Sequence, residues 1–361
     1  MVRSRHAGVG AVTGRELAVG LIGLGNSGWF YHAEGVLERS DQYRLRAVAS
    51  ARPERAEAAG RRFGARPYRT WQELIGNDDL DLIVIATPHH LHAEMTVAAL
   101  DAGHHVVVEK PMAITRAECD RMLDAAKRNS RMLTVHQNRR WEPSYLIIVD
   151  LVRNGDLGDV WRVEERRMHR GKYVVAGPDQ PHSGHDLAAW AHTREGGGGV
   201  GYLIAPHLID HQVQLLGAPT TVSAVTHTFP GDQVEHYLDL RLGYPDGPLS
   251  RVEIFREDVV DLPKWTVLGS RGSIVCPDFN TVIIDLDGRD RRVITDLPAV
   301  RAADEFYRQL WTAITDAGPP PVDPSGAAVV TEILELAHRS ARRGGAPEYL
   351  DSAAGLTERT R

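Results

Sequence analysis

The sequence predicts an α/β chain in two parts: a parallel sheet interleaved with helices, then an α+β domain with a large, mostly antiparallel open sheet. Three observations predict it. Over the first 137 residues, short apolar runs alternate with helical stretches of about a dozen residues, the pattern of βαβ units. A G-x-G-x-x-G hexapeptide, Gly23-Leu24-Gly25-Asn26-Ser27-Gly28, follows the first apolar run. Beyond residue 219, short β-rich runs succeed one another, separated by turns such as Pro245-Asp246-Gly247.

In chain order, Leu17–Ile22 reads as a buried strand and Ser27–Glu38 as a helix. Arg44–Ala49 is strand-like, and Pro53–Phe63 is a helix with proline near its start. Leu82–Ala86 is a second buried strand, followed by helix 90–102, which Gly103 closes. Strand His105–Val108, helix 115–129 and strand Met132–Val135 complete the first part. The second part starts with a helix near 143–153 and a strand from Val160 to Met168. A long loop over 170–199 ends in Gly196-Gly197-Gly198-Gly199, and a helix spans Pro206–Leu216. Strands are expected at 220–228, 235–243, 249–256, 264–268, 273–276 and 281–286, then helices at 301–317 and 325–343. The domains expected are 1–15 as a disordered tail, 16–138 as the first and 139–361 as the second, with the last helix packing back on the first.

The chain has 361 residues, enough for two cores. A net charge of -6 gives no basic face for nucleic acid, and no apolar run is long enough for a membrane span. The positive start lacks a following apolar segment, so no signal peptide is expected and the location is cytoplasmic. Cys119 and Cys276 lie far apart, which does not suggest a disulfide framework.

The hexapeptide sits between a strand and a helix, the context that makes it a dinucleotide fingerprint and the first part a Rossmann domain. Its glycines allow a tight turn at Gly23, close approach of a pyrophosphate at Gly25 and helix–strand packing at Gly28; Asn26 and Ser27 complete the loop. An acid normally follows about 20 residues on to hold the ribose of NAD. Here Ser50 and Arg52 occupy that strand tip, so NADP is preferred over NAD, with Arg52 on the 2′-phosphate.

Val106-Val107-Val108-Glu109-Lys110-Pro111 puts a lysine at the carboxyl end of a buried strand, the edge where open α/β sheets bind ligands. Only four lysines occur, the others being Lys127, Lys172 and Lys264. Unlike arginine, a partly buried lysine exchanges its proton near neutrality, which suits chemistry on an alcohol or ketone.

Six segments in order then resemble the Gfo/Idh/MocA oxidoreductase family. They are the glycine fingerprint, Ala86-Thr87-Pro88-His89-His90-Leu91-His92, Glu109-Lys110-Pro111, Gln137-Asn138-Arg139-Arg140-Trp141, Gly155-Asp156-Leu157-Gly158-Asp159-Val160, and Gly197-Gly198-Gly199 leading to Pro206-His207-Leu208-Ile209-Asp210. The branch that interconverts scyllo-inositol and inosose is the most similar. The resemblance implies that Thr87, Pro88, His89, His92, Glu109, Lys110 and Gln137 lie on the cofactor side. It implies substrate contacts from Arg139, Arg140, Trp141 and Asp210, with Lys110 and His207 as the polarising and proton-transfer groups. It also implies a homodimer or homotetramer. Family dehydrogenases usually carry Asp four residues before the histidine; this chain has Leu203, with Tyr202 beside it read as strand and facing away.

Tyr173 and Trp190 are further substrate candidates in the long loop, along with Arg170, Lys172, His182, His185, Asp186 and His192. His207-Leu208-Ile209-Asp210-His211 looks like a zinc helix, but Asp replaces Glu and no third ligand is placed, so no metal is expected. The activity implied is hydride transfer between NAD(P) and a cyclic polyol, sugar or corresponding ketone. Leu203 keeps open a cofactor-recycling lyase, hydrolase or epimerase, and the fold alone a non-catalytic NAD(P)-binding regulator.

Overall fold

A six-stranded sheet forms the first layer, all parallel, in the order β3-β2-β1-β4-β5-β6. Its strands are β1 (Leu17–Ile22), β2 (Tyr43–Ala49), β3 (Arg66–Tyr68), β4 (Leu82–Ile85), β5 (His105–Val108) and β6 (Leu133–Val135). A computed structural model of the chain describes residues 15–168, 189–256, 262–298 and 301–351. Residues 1–14 of the tail expected over 1–15 and most of the 170–199 loop, with Arg170, Lys172, Tyr173, His182, His185 and Asp186, lie outside them.

The strands β4 and β5 are apolar and buried throughout, bar the half-buried His105, because helices cover both faces. These are α1 (Pro53–Phe63), α2 (Trp71–Ile75), α3 (His92–Asp101) and α4 (Arg116–Asn129). Local chemistry sets their ends. Pro53 opens α1 and Gly64, at φ 69°, closes it. Thr115 and Glu118 form a reciprocal capping box on α4. Both β3, an edge strand holding Pro67, and α2 are too short for periodicity to reveal.

The helix expected over Ser27–Glu38 is a correction. Ser27–Ala33 is wound wider than α, with Glu34 N–H donating to Trp29 C=O, and a separate single turn follows at Leu37–Arg39. Trp29 Nε1–H also donates to the Glu34 carboxylate, tying the widened turn to its own exit.

The second part begins with α5 (Pro143–Arg153), β7 (Val160–Met168), α6 (Gly199–Leu203) and α7 (Ala205–Leu216). The remaining strands are β8 (Thr221–His227), β9 (Tyr237–Gly243), β10 (Leu249–Phe255), β11 (Trp265–Gly269), β12 (Gly272–Cys276), β13 (Val282–Leu286), β14 (Arg292–Ile294) and β15 (Glu348–Tyr349). With β7 they make a nine-stranded sheet, antiparallel except where β10 runs parallel to β7. Trp265 and Val267 lie in its buried inner layer beneath α5. Its opposite face carries Arg162, Glu164, Arg166, Glu253, Arg251 and Asp239 in a continuous chain of ion pairs.

Helix α8 (Ala302–Thr315) inserts Phe306, Tyr307 and Leu310 into the core of the first sheet. Helix α9 (Pro324–Arg342) bridges: Ala327 and Ala328 join that core, and Val330, Ile333 and Leu334 join the core under β8–β10. Packing on the first domain is therefore shared by α8, whereas the sequence pointed to the last helix alone. Cys119 and Cys276 are both free and buried. Among the described residues, no helix is long and apolar enough to cross a membrane.

Candidate active site

A cavity of about 1100 Å³ runs from the carboxyl ends of β1, β2 and β4 to the start of α7. It opens where open α/β sheets receive ligands, because every strand end there turns into a loop with unpaired backbone groups. Gly23, Gly25, Asn26 and Ser27 line its floor. A side chain at Gly23, whose φ is +95°, would put its Cβ 2.3 Å from Ala86 O. One at Gly28 would lie 1.9 Å from Gly23 O, so Gly28 serves packing behind the wall. Nothing lies within 4 Å of a Cβ at Gly25, which leaves a bare backbone facing the cavity. That cradle fits a pyrophosphate.

Ser50, Ala51 and Arg52 form the next stretch of wall, opposite Arg69, Thr70 and Trp71. Arg52 and Arg69 are exposed, and neither makes an ion pair among the described residues. Sequence reasoning missed Arg69 and Trp71 because they belong to the turn from β3 into α2, two elements too short for periodicity to reveal.

At the other end, Thr87, Pro88, His89, Glu109, Lys110, Arg139, Trp190, Leu203 and His207 meet. Lys110 Nζ donates to Leu203 C=O at 2.6 Å. Burial pulls the ammonium down, and with Arg139 nearby it outweighs the opposing Glu109, leaving Lys110 at about 8. His207, on the first turn of α7, is held well below its ordinary value by burial, then by Arg139 and Lys110. Its Nδ1 is buried with no hydrogen-bond partner. His89 Nδ1–H donates to Gly197 C=O at 2.8 Å, and its ring lies 4.6 Å edge-on to Trp190. Gly197 has φ +72°, and a Cβ there would press on His89 Cβ at 3.1 Å. Gly199 leaves room for Glu235, which accepts from Gly201 N–H at 2.8 Å. The glycine run thus seats α6 beside Lys110.

Behind Lys110 lies a buried network that the sequence did not reveal. Glu109 Oε1 takes N–H bonds from His32 Nε2 and His136 Nδ1, each at 3.0 Å. Its Oε2 accepts from Lys110 N–H at 3.1 Å. A carboxylate only accepts, so His32 must carry its proton on Nε2 and His136 on Nδ1. His32 Nδ1 is then a bare acceptor and receives the Tyr307 hydroxyl at 2.7 Å. Burial alone would raise Glu109, but His136 and His32 hold it well below the usual carboxylate range. Burial, then His136, keeps His32 below its ordinary value and therefore neutral near pH 7. The three ligand-type atoms lie within 4.8 Å of one another, a grouping these N–H bonds explain.

Several residues placed at the site by the sequence stand behind its wall. Arg140 and Asp210 form a two-pronged pair at 2.7 and 2.6 Å, with Asp210 buried. Trp141 packs on Phe306. Buried His92 lies between the carbonyls of Pro111 and Thr87, at 2.9 and 3.0 Å, and its neutral ring donates to one of them, bracing the turn that holds Lys110. Gln137 donates to Pro206 C=O at 3.3 Å, fixing the start of α7. His192 is on the short turn Ala189–His192, off the wall. Tyr202 does face away, bonding Ile114 C=O and stacking on His338, but α6 is a helix and not the strand expected. His211 donates to Glu165 and to Arg139 C=O, so its ring is committed away from His207's.

Residues 17–137 match the family model described as the oxidoreductase family with an NAD-binding Rossmann fold, GFO/IDH/MocA, and 145–275 match its C-terminal domain. The chain is 29% identical over 354 residues to an uncharacterized oxidoreductase, YdgJ, of Escherichia coli (91% of this chain, 97% of that one). It is 26% identical over 356 residues to the scyllo-inositol 2-dehydrogenase (NADP(+)) IolW of Bacillus subtilis (90% and 94%). The solved levoglucosan dehydrogenase complex with NADH and levoglucosan superposes with a TM-score of 0.79 at 24% identity, over 93% of this chain and 100% of that one. Fold, glycine cradle and matched segments together make this chain a member of the Gfo/Idh/MocA family of NAD-binding oxidoreductases.

Proposed function

We propose that the protein transfers hydride between NADP, or NAD, and a cyclic polyol, sugar or corresponding ketone, with Lys110 as the proton-exchanging group. The observation that carries this reading is Lys110 itself: it stands on the cavity wall between the glycine cradle and His207, with its Nζ on a backbone carbonyl and, among the described residues, no carboxylate bonded to it. When bound, the nicotinamide supplies or accepts the hydride. Lys110 then holds the substrate oxygen and gives or takes its proton. His207, neutral around pH 7, offers a hydrogen bond to that oxygen or a neighbouring hydroxyl. In the ketone-forming direction the amine must be unprotonated, so kcat/KM should rise with pH through about 8. In the reverse direction it should fall through the same value. An alcohol-oxidation profile flat from pH 7 to 9 would remove Lys110 from this role.

Scyllo-inositol 2-dehydrogenase (NADP(+)) and levoglucosan dehydrogenase among the relatives support the substrate class. The preference for NADP rests on Ser50, Arg52 and Arg69 around the β2 tip, where the wall carries no carboxylate. Arg52→Ala should weaken NADPH about tenfold, the scale of one charge-assisted hydrogen bond, with little change for NADH. Fluorescence titration of both nucleotides checks it; tighter NADH than NADPH in the unaltered protein would sink it.

A further inference from the structure

We infer that the substrate carries a carboxylate: the site is built for a sugar acid or a polyhydroxy acid, with Arg139 holding the acid group while Lys110 serves the reacting oxygen. This rests on the hydride-transfer reading and names its substrate class.

The first argument is charge. Among the described residues lining the whole cavity, Glu109 is the one carboxylate, and its oxygens are occupied by His32, His136 and the Lys110 N–H. A neutral polyol needs acceptors for its hydroxyl donors as well as donors for its lone pairs. The substrate end instead offers cations and apolar surface: Lys110 and Arg139 beside Leu203, Ile204 and Trp190.

The second argument is the pairing of Arg139. Among the described residues, the carboxylate it pairs with is Glu142, at 3.4 Å. Glu142 is held more closely by Lys264, at 2.6 Å. Arg139 and Lys264 thus share one carboxylate, Glu142, while the Lys110 ammonium has Glu109 near it but not bonded to it, an excess of one positive charge. The guanidinium is close enough to depress both Lys110 and His207, so an anion against it would relieve all three. The backbone that carries Arg139 is held in place. His211 donates to its backbone carbonyl at 3.0 Å and is itself locked on Glu165. A planar fork on a fixed base suits the two oxygens of a carboxylate, and the single excess charge suits a monoanion better than a phosphate dianion.

The test compares matched probes with the purified protein and NADP or NAD: glucose against glucuronate, galactose against galacturonate, scyllo-inositol, and glucose 6-phosphate. The uronates should exceed their neutral partners in kcat/KM by at least tenfold, and the advantage should shrink with added salt. Arg139→Gln should cut uronate kcat/KM about 10²-fold, mainly through KM, and erase the preference. Arg139→Lys should recover part of it, and matching melting curves establish that both variants are folded. A neutral sugar or the phosphate outperforming the uronates overturns the proposal but leaves the dehydrogenase reading standing. With no turnover of any probe, calorimetry decides. Uronate binding that disappears in Arg139→Gln supports the acid site while the hydride-transfer reading fails. No uronate binding overturns the acid site.

Discussion

Lys110→Met lowers kcat by about 10²–10⁴, the usual cost of a positioned acid–base group, while cofactor binding persists. Methionine keeps an unbranched apolar stem of nearly the same length and removes the terminal ammonium. The interaction lost in the resting protein is one bond to Leu203 C=O, and that carbonyl borders the cavity, where water can replace the ammonium. Folding should therefore change little. The glycine cradle lies on the loop after β1, outside the altered group, so nucleotide affinity should stay within a few-fold. Single-turnover hydride transfer, followed by nicotinamide absorbance, gives the rate; fluorescence titration gives the affinity. The variant should also lose the inflection at about 8 that Lys110 gives the native profile. Near-normal turnover with the inflection intact would move the proton to another group.

The parts of this site visible in the sequence are those set by local chemistry. The fingerprint announces a strand, a tight turn and an exposed backbone; Gly23 and Gly28 have steric reasons in the structure, and Gly25 leaves bare backbone facing the cavity. Lys110 was legible because a run of buried valines must end at a sheet edge, and proline after it stops the strand. What the sequence could not show is which distant groups meet. Glu109 and His136 become neighbours because β5 and β6 pair in parallel, a fact about strand order. His32 reaches them from the loop after β1, through a turn wound wider than the α-helix its length suggested. The same limit produced the opposite error. Arg140 and Asp210 look in sequence like free charges available to a ligand, yet they lie 70 positions apart and satisfy each other. A charge is a site candidate only once its pairing is known: Arg140 is bound to Asp210 behind the wall, whereas its neighbour Arg139 lines the cavity.

Glu109→Gln is expected to destabilise the fold by about 2–4 kcal/mol at pH 7, the scale of one hydrogen bond lost from a buried charge together with a buried donor left unpaired. An amide cannot imitate this carboxylate. Glu109 accepts three N–H bonds, two on one oxygen and one on the other. If glutamine turns its oxygen to His32 and His136, its NH₂ faces the Lys110 N–H, donor against donor. If it turns over, NH₂ faces both imidazole N–H groups. His32 could then shift its proton only by turning it against the Tyr307 hydroxyl, which must reverse in turn. Every arrangement leaves a buried polar atom unsatisfied. The sign with pH follows from the lowered value of Glu109. A carboxylate depressed by folding contributes fully above its unfolded pKa, about 4.3, and loses that contribution as pH falls towards the folded value. The gap between native and variant should thus be widest at neutral pH and begin to close below about pH 4.3. Urea unfolding at a series of pH values measures it. A variant as stable as the native protein at pH 7 would show that the two histidines do not depend on this carboxylate. A loss that persists unchanged in acid would place its origin in packing. Because Glu109 also fixes the peptide that carries Lys110, a real loss of the network should lower turnover as well as stability, with the lysine still present.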